Sequence, residues 1–170
     1  MLKINLLTDD VQRALKNLAG RVSDLRPALK AIGEDLANST QQRFADSKAP
    51  DGTPWEPNSP ATIARHVHGV KGTKTKDGQR LTKKGAARWD SKKPLIGETK
   101  NLGEQIHWEL QGANAVVVYS TMEYTAMQQF GGKKSQFPHL WGDIPARPFF
   151  GLSDADQASI ERTLREHLQP

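Results

Sequence analysis

The chain of 170 residues contains no cysteine. That excludes disulfides, thiolate metal sites and a cysteine nucleophile, and it fits folding in a reducing cytosol. Apolar runs are short as well: none approaches the ~20 residues that span a bilayer. The opening MLKINLLTDD is too short and too quickly acidic for a signal peptide, so a soluble, unexported protein is expected. Hydrophobic residues make up 36% and mean hydropathy is -0.66, which points to one domain, residues 1–170, with a core small for its length. Phosphate-cradling glycine loops, HExxH and GxSxG are all missing.

Charge is unevenly spread. The net charge is +5, yet between Arg65 and Lys93 ten Lys or Arg face only Asp77 and Asp90, a local excess of eight. The remainder is therefore net negative by three. Basicity belongs to one segment and not to the chain as a whole.

Leu2, Ile4 and Leu6 alternate with polar residues as a weak strand would, and Thr8 is placed to cap a helix whose first turn holds Asp9 and Asp10. Val11, Leu15, Leu18, Val22 and Leu25 recur at helical spacing. Past Pro27 the stripe continues through Leu29, Ile32, Leu36 and Phe44, giving a helical hairpin or one kinked helix ending near Asp46. APDGTPWEPNSPAT follows, a loop built on Pro50-Asp51-Gly52 in which Trp55 is expected to tack the loop onto the body.

From about His66 to Lys93 aliphatic residues almost vanish. Val67, Val70 and Leu81 cannot bury enough surface to offset ordering, so residues 66–93 are expected to form a mobile basic insertion or arm. Its cations include Lys71, Lys74, Lys76, Lys83 and Lys84. They could contact nucleic acid through phosphates, but the segment carries Trp89 and little else aromatic, and a stacking platform is missing. An arm that orders on an acidic protein surface is the favoured reading, with nucleic-acid binding as the alternative.

Ile106, Trp108 and Leu110 alternate with polar neighbours, Gly112-Ala113-Asn114 turns, and Ala115 to Ser120 returns as a β-branched strand. YTAMQQF reads as a short helix stopped by Gly131-Gly132. Ser153 caps a last helix with Asp154 and Asp156 in its first turn and Ile160, Leu164 and Leu168 along one stripe. The fold class is therefore α+β: a small antiparallel sheet on the 104–120 hairpin, covered by the N-terminal helical region and the C-terminal helix.

Chemistry-bearing constellations do not emerge. His66 and His68 sit in the basic segment without a carboxylate cluster, and neither His107 nor His139 has an orienting acid nearby in sequence. No catalytic, cofactor or metal residue is expected. The organised feature is IPARPFFGLSDAD, residues 144–156. Pro145 and Pro148 lack ladder donors, and Phe149 and Phe150 gain nothing in a loose linker. A stiff connector that pins something hydrophobic in a fixed place is expected.

Four ordered blocks resemble the phage virion-morphogenesis family of tail-completion proteins (the Mu G-like group). They are Arg43-Phe44 with PDGTPW at 50–55, LIGETKNL at 95–102, YTAMQQFGG at 124–132, and IPARPFFGLS at 144–153. LIGETKNL stands where the family more often has leucine followed by Thr-Gly-Arg-Leu, and the basic insertion inherits no role. The resemblance implies a structural, non-enzymatic virion component without cofactors. It would act in tail completion and head–tail joining as a homomeric ring, a hexamer, among other tail and neck proteins. Its place would be the virion tail or neck after assembly in the host cytoplasm. Trp55, Arg147, Phe149 and Phe150 are then the candidates for subunit or partner contact.

Overall fold

The computed structural model describes residues 9–68, 70–75, 78–97 and 101–169. In chain order these hold α1 (Asp9–Ser23), α2 (Arg26–Asp46), α3 (Pro60–His68), α4 (Lys83–Asp90), α5 (Asn101–Glu104), β1 (Ile106–Gln111), β2 (Ala115–Ser120), α6 (Thr125–Phe130) and α7 (Asp154–Leu168). Seven helices and one two-stranded antiparallel sheet among the described residues make the fold α+β. The expected N-terminal strand, the Thr8 cap and Lys76 lie outside the described residues, as do the side chains of Val11, Leu15 and Leu18. No helix among the described residues is long and apolar enough to cross a membrane.

The chain divides into two compact units. One comprises Met1–Ser39, Ile106–Tyr119 and Leu152–Pro170. Here the helical region is two helices, α1 and α2, separated only by Asp24 and Leu25, with Pro27 in the first turn of α2. Ala28, Leu29, Ile32 and Ala37 are buried along α2. Gly33 lets the helix approach the sheet: a Cβ there would lie 2.6 Å from Trp108 and 2.7 Å from Val116. Val22, placed on the apolar stripe by spacing, is instead 54% exposed.

At the start of α7 a capping box forms. Ser153 Oγ accepts from the Asp156 N–H (3.2 Å), and the Asp156 carboxylate accepts the Ser153 N–H (2.8 Å). The Ser159 hydroxyl donates to Asp35 of α2 at 3.0 Å, and His167 Nε2 donates to the Asp24 carbonyl at 2.9 Å. Those bonds tie α7 to α2 and to the link between α1 and α2.

The other unit comprises Thr40–Gln105 and Ser120–Gly151. Residues 66–93, expected as a mobile arm, carry the end of α3 and all of α4, and the two helices pack together. Val67 is fully buried and Thr73 is 1% exposed. The Thr73 hydroxyl is within donating distance of the Val67 and Val70 carbonyls (2.9 and 2.8 Å), closing the turn after α3. Thr82 caps α4 by accepting from Gly85 N–H at 3.1 Å while donating to the Gly72 carbonyl at 2.7 Å. Threonine hydroxyls and one valine supply the organisation that aliphatic content does not.

Candidate functional site

The proline-rich connector 144–151 cannot be held by a sheet ladder, because Pro145 and Pro148 have no N–H to offer. Gly132 and Ile144 exchange the one bridge at its start, with N–H to carbonyl distances of 2.9 and 2.8 Å. The Arg147 N–H donates to the Gln128 carbonyl at 2.8 Å, and side chains take over the rest of the pairing. Trp55 Nε1 donates to the Pro148 carbonyl at 2.8 Å. Arg43, at the end of α2, donates to the carbonyls of Phe149 (2.6 Å) and Gly151 (2.9 Å). Gln129 of α6 accepts the N–H groups of both Phe149 and Phe150 through Oε1, at 2.9 and 3.0 Å. Its amide donates to the Phe150 carbonyl at 3.0 Å.

The rings close around this frame. Phe149 is fully buried, its centroid 5.1 Å from Phe44 and 4.8 Å from Phe150, and Phe44 meets Trp55 edge-on at 5.4 Å. Gly151 completes the close approach: at φ 149° it faces Pro50, whose Cγ would lie 2.8 Å from a Cβ.

Arg147 performs a second fastening. Its guanidinium donates to the carbonyls of Glu56 (2.8 Å) and Pro57 (3.1 Å), locking the 50–58 loop to the connector. Burial pulls this guanidinium below its usual pKa range, and the Glu56 carboxylate pushes the other way. A cleft of about 480 Å³ opens beside it, lined by Asn58, Lys92, Ile96, Tyr124 and Gln128 among others. At the loop tip, Thr53 hydrogen bonds hold the Asp51 carboxyl below the usual carboxylate range.

The four contact candidates therefore come together, but three face inward. Trp55, Arg147 and Phe149 are 5%, 6% and 0% exposed, so they can shape an interface without presenting their side chains to it. Phe150 is half-buried. Of the basic cluster, Lys71, Lys74, Lys83 and Lys84 are exposed. No group of three or more His, Asp or Glu side chains among the described residues could hold a metal.

Sequence reasoning assigned no roles to Arg43 or Gln129, although both lie in the motif blocks. It also passed over Phe130 and Trp141, which are 78% and 94% exposed. The cue for the latter was an aromatic run, FPHLW, two residues beyond Lys133 and Lys134.

Fold and site together define a small α+β protein whose most organised feature is a pinned connector. The chain belongs to the phage virion morphogenesis family, whose model matches residues 6–169 and so spans both compact units. It is 26% identical over 168 residues to the tail completion protein S of Escherichia phage P2, covering 95% of this chain and 99% of that one. It is also 36% identical over 76 residues to the Mu-like prophage FluMu G protein 2 of Haemophilus influenzae, covering 45% of this chain and 52% of that one. No solved structure matches it significantly.

Proposed function

We propose that this chain is a non-enzymatic tail-completion protein. It joins tail to head during virion assembly as a homomeric ring of six at the tail–head junction, with other tail and neck proteins as neighbours. It folds in the host cytoplasm and ends in the virion, its two compact units serving as one tail-completion domain. The observation that carries this reading is the end-to-end similarity to the P2 tail completion protein, 99% of whose length is covered. Exposed apolar side chains support self-association: Val22 at 54%, Leu152 at 50% and Phe130 at 78%. Phe150, at the half-exposed edge of the pinned connector, is a further contact candidate.

Native mass spectrometry tests the ring. A hexamer weighs about 113 kDa, six times the 18.8 kDa chain. A protein that stays monomeric at assembly concentrations, alone and with tail proteins, would refute the ring.

A further inference from the structure

The basic segment lacks a stacking ring of its own besides Trp89, but the fold brings one from elsewhere in the chain. Trp141 is 94% exposed, and the guanidinium of Arg65, in the last turn of α3, lies 5.8 Å from its ring centroid. The Trp141 loop itself carries exposed Lys133 and Lys134. Beyond α3, the Lys84 ammonium reaches the Lys71 carbonyl at 3.4 Å, drawing the first turn of α4 against the chain that leaves α3. Lys71, Lys74 and Lys83 are exposed and have no acidic partner among the described residues.

These cations stand on a folded base, fastened by Val67, Thr73 and Thr82, so less ordering entropy is lost on binding than from a loose arm. Charge points to a polyanion. The unit containing α3 and α4 holds 16 Lys or Arg against 9 Asp or Glu, a net +7, whereas the other unit holds 8 against 10. The ring chooses among polyanions: an acidic peptide needs only the cations, whereas a nucleobase also uses an open aromatic face.

We propose that Trp141, Arg65 and the lysines of the α3–α4 unit form a surface for single-stranded nucleic acid. A base stacks on Trp141, and phosphates are neutralised by Lys71, Lys74, Lys83 and Lys84.

Fluorescence polarisation with the full chain and a labelled oligothymidylate of about 20 nucleotides, across a salt series, tests this. Binding should be saturable, and Trp141→Ala should weaken it about tenfold while Trp141→Phe retains most of it. Changing the four lysines to Gln should make the slope of log affinity against log salt shallower by about 0.7 for each phosphate no longer neutralised. Circular dichroism should be unchanged in the Trp141 variants, since the ring contributes almost nothing to the core. Three results would each overturn the proposal: no saturable binding at low salt; equal affinity for Trp141→Ala; or a duplex bound more tightly without dependence on Trp141. Polyglutamate of matched charge competing as well as unlabelled oligonucleotide would also overturn it, and would reassign the surface to an acidic protein.

Discussion

Arg43 and Gln129 do for the connector what a neighbouring strand does in a sheet: they satisfy backbone groups that have no ladder to join. Replacing Gln129 by Leu leaves two N–H groups unpaired, at about 1–3 kcal/mol each. Phe149→Ala empties the centre of the ring cluster and is expected to cost about 3–5 kcal/mol. Urea unfolding should show both midpoints lowered. A Phe149→Ala midpoint matching wild type would remove the connector from the core. Asp51 acts at the same scale through pH. Its folded pKa is depressed, so its contribution is complete above the ordinary aspartate range and is lost as pH falls through the folded value. Asp51→Ala should therefore flatten the acid limb of the stability curve, measured by thermal melts from about pH 5 down to about pH 2, the span that runs below the ordinary aspartate value.

At the scale of elements, two competing effects meet at Gly33. A helix-interior Gly→Ala change normally gains about 0.5–1 kcal/mol. Here the new methyl would lie 2.6 Å from Trp108, and overpacking of that kind costs about 1–3 kcal/mol. Gly33→Ala should thus be destabilising, and a raised melting temperature would contradict the close packing of α2 on the hairpin. Thr82→Ala removes the cap of α4 and its bond to the Gly72 carbonyl, at about 1 kcal/mol. Trypsin should then cut after Lys83, Lys84 and Arg88 about fivefold faster, since cleavage follows local opening; unchanged kinetics would show that α4 does not depend on the cap. The hairpin and the α7 cap were legible in sequence because period-two alternation and Ser153 with its acids act over a few residues. The order within 66–93 was not legible: it rests on threonine hydroxyls bonding to carbonyls and on the complete burial of Val67. Neither registers in aliphatic composition. Trp55 was legible as a tack, but its Pro148 acceptor, 93 residues away, was not.

For the whole molecule, family membership spans the chain while similarity to the FluMu G protein 2 covers 45% of it. Three of the four motif blocks that carried the resemblance coincide with the pinned connector and its fasteners: Arg43, Trp55, Gln129, Arg147 and Phe149. Those residues act on shape, through buried rings and bonds to the backbone. Self-association should depend on what that shape exposes. Phe130→Ser is expected to weaken assembly about tenfold by sedimentation, as expected for one aromatic anchor at a protein interface, without lowering the monomer's melting temperature. Assembly unaffected by Phe130→Ser would place the interface elsewhere.

Electron microscopy of lysates from phage lacking this protein tests the tail-completion role most directly. Filled heads separated from incomplete or unjoined tails are expected, with joining restored by the wild-type chain supplied in trans. Complete particles with joined tails in its absence would contradict it.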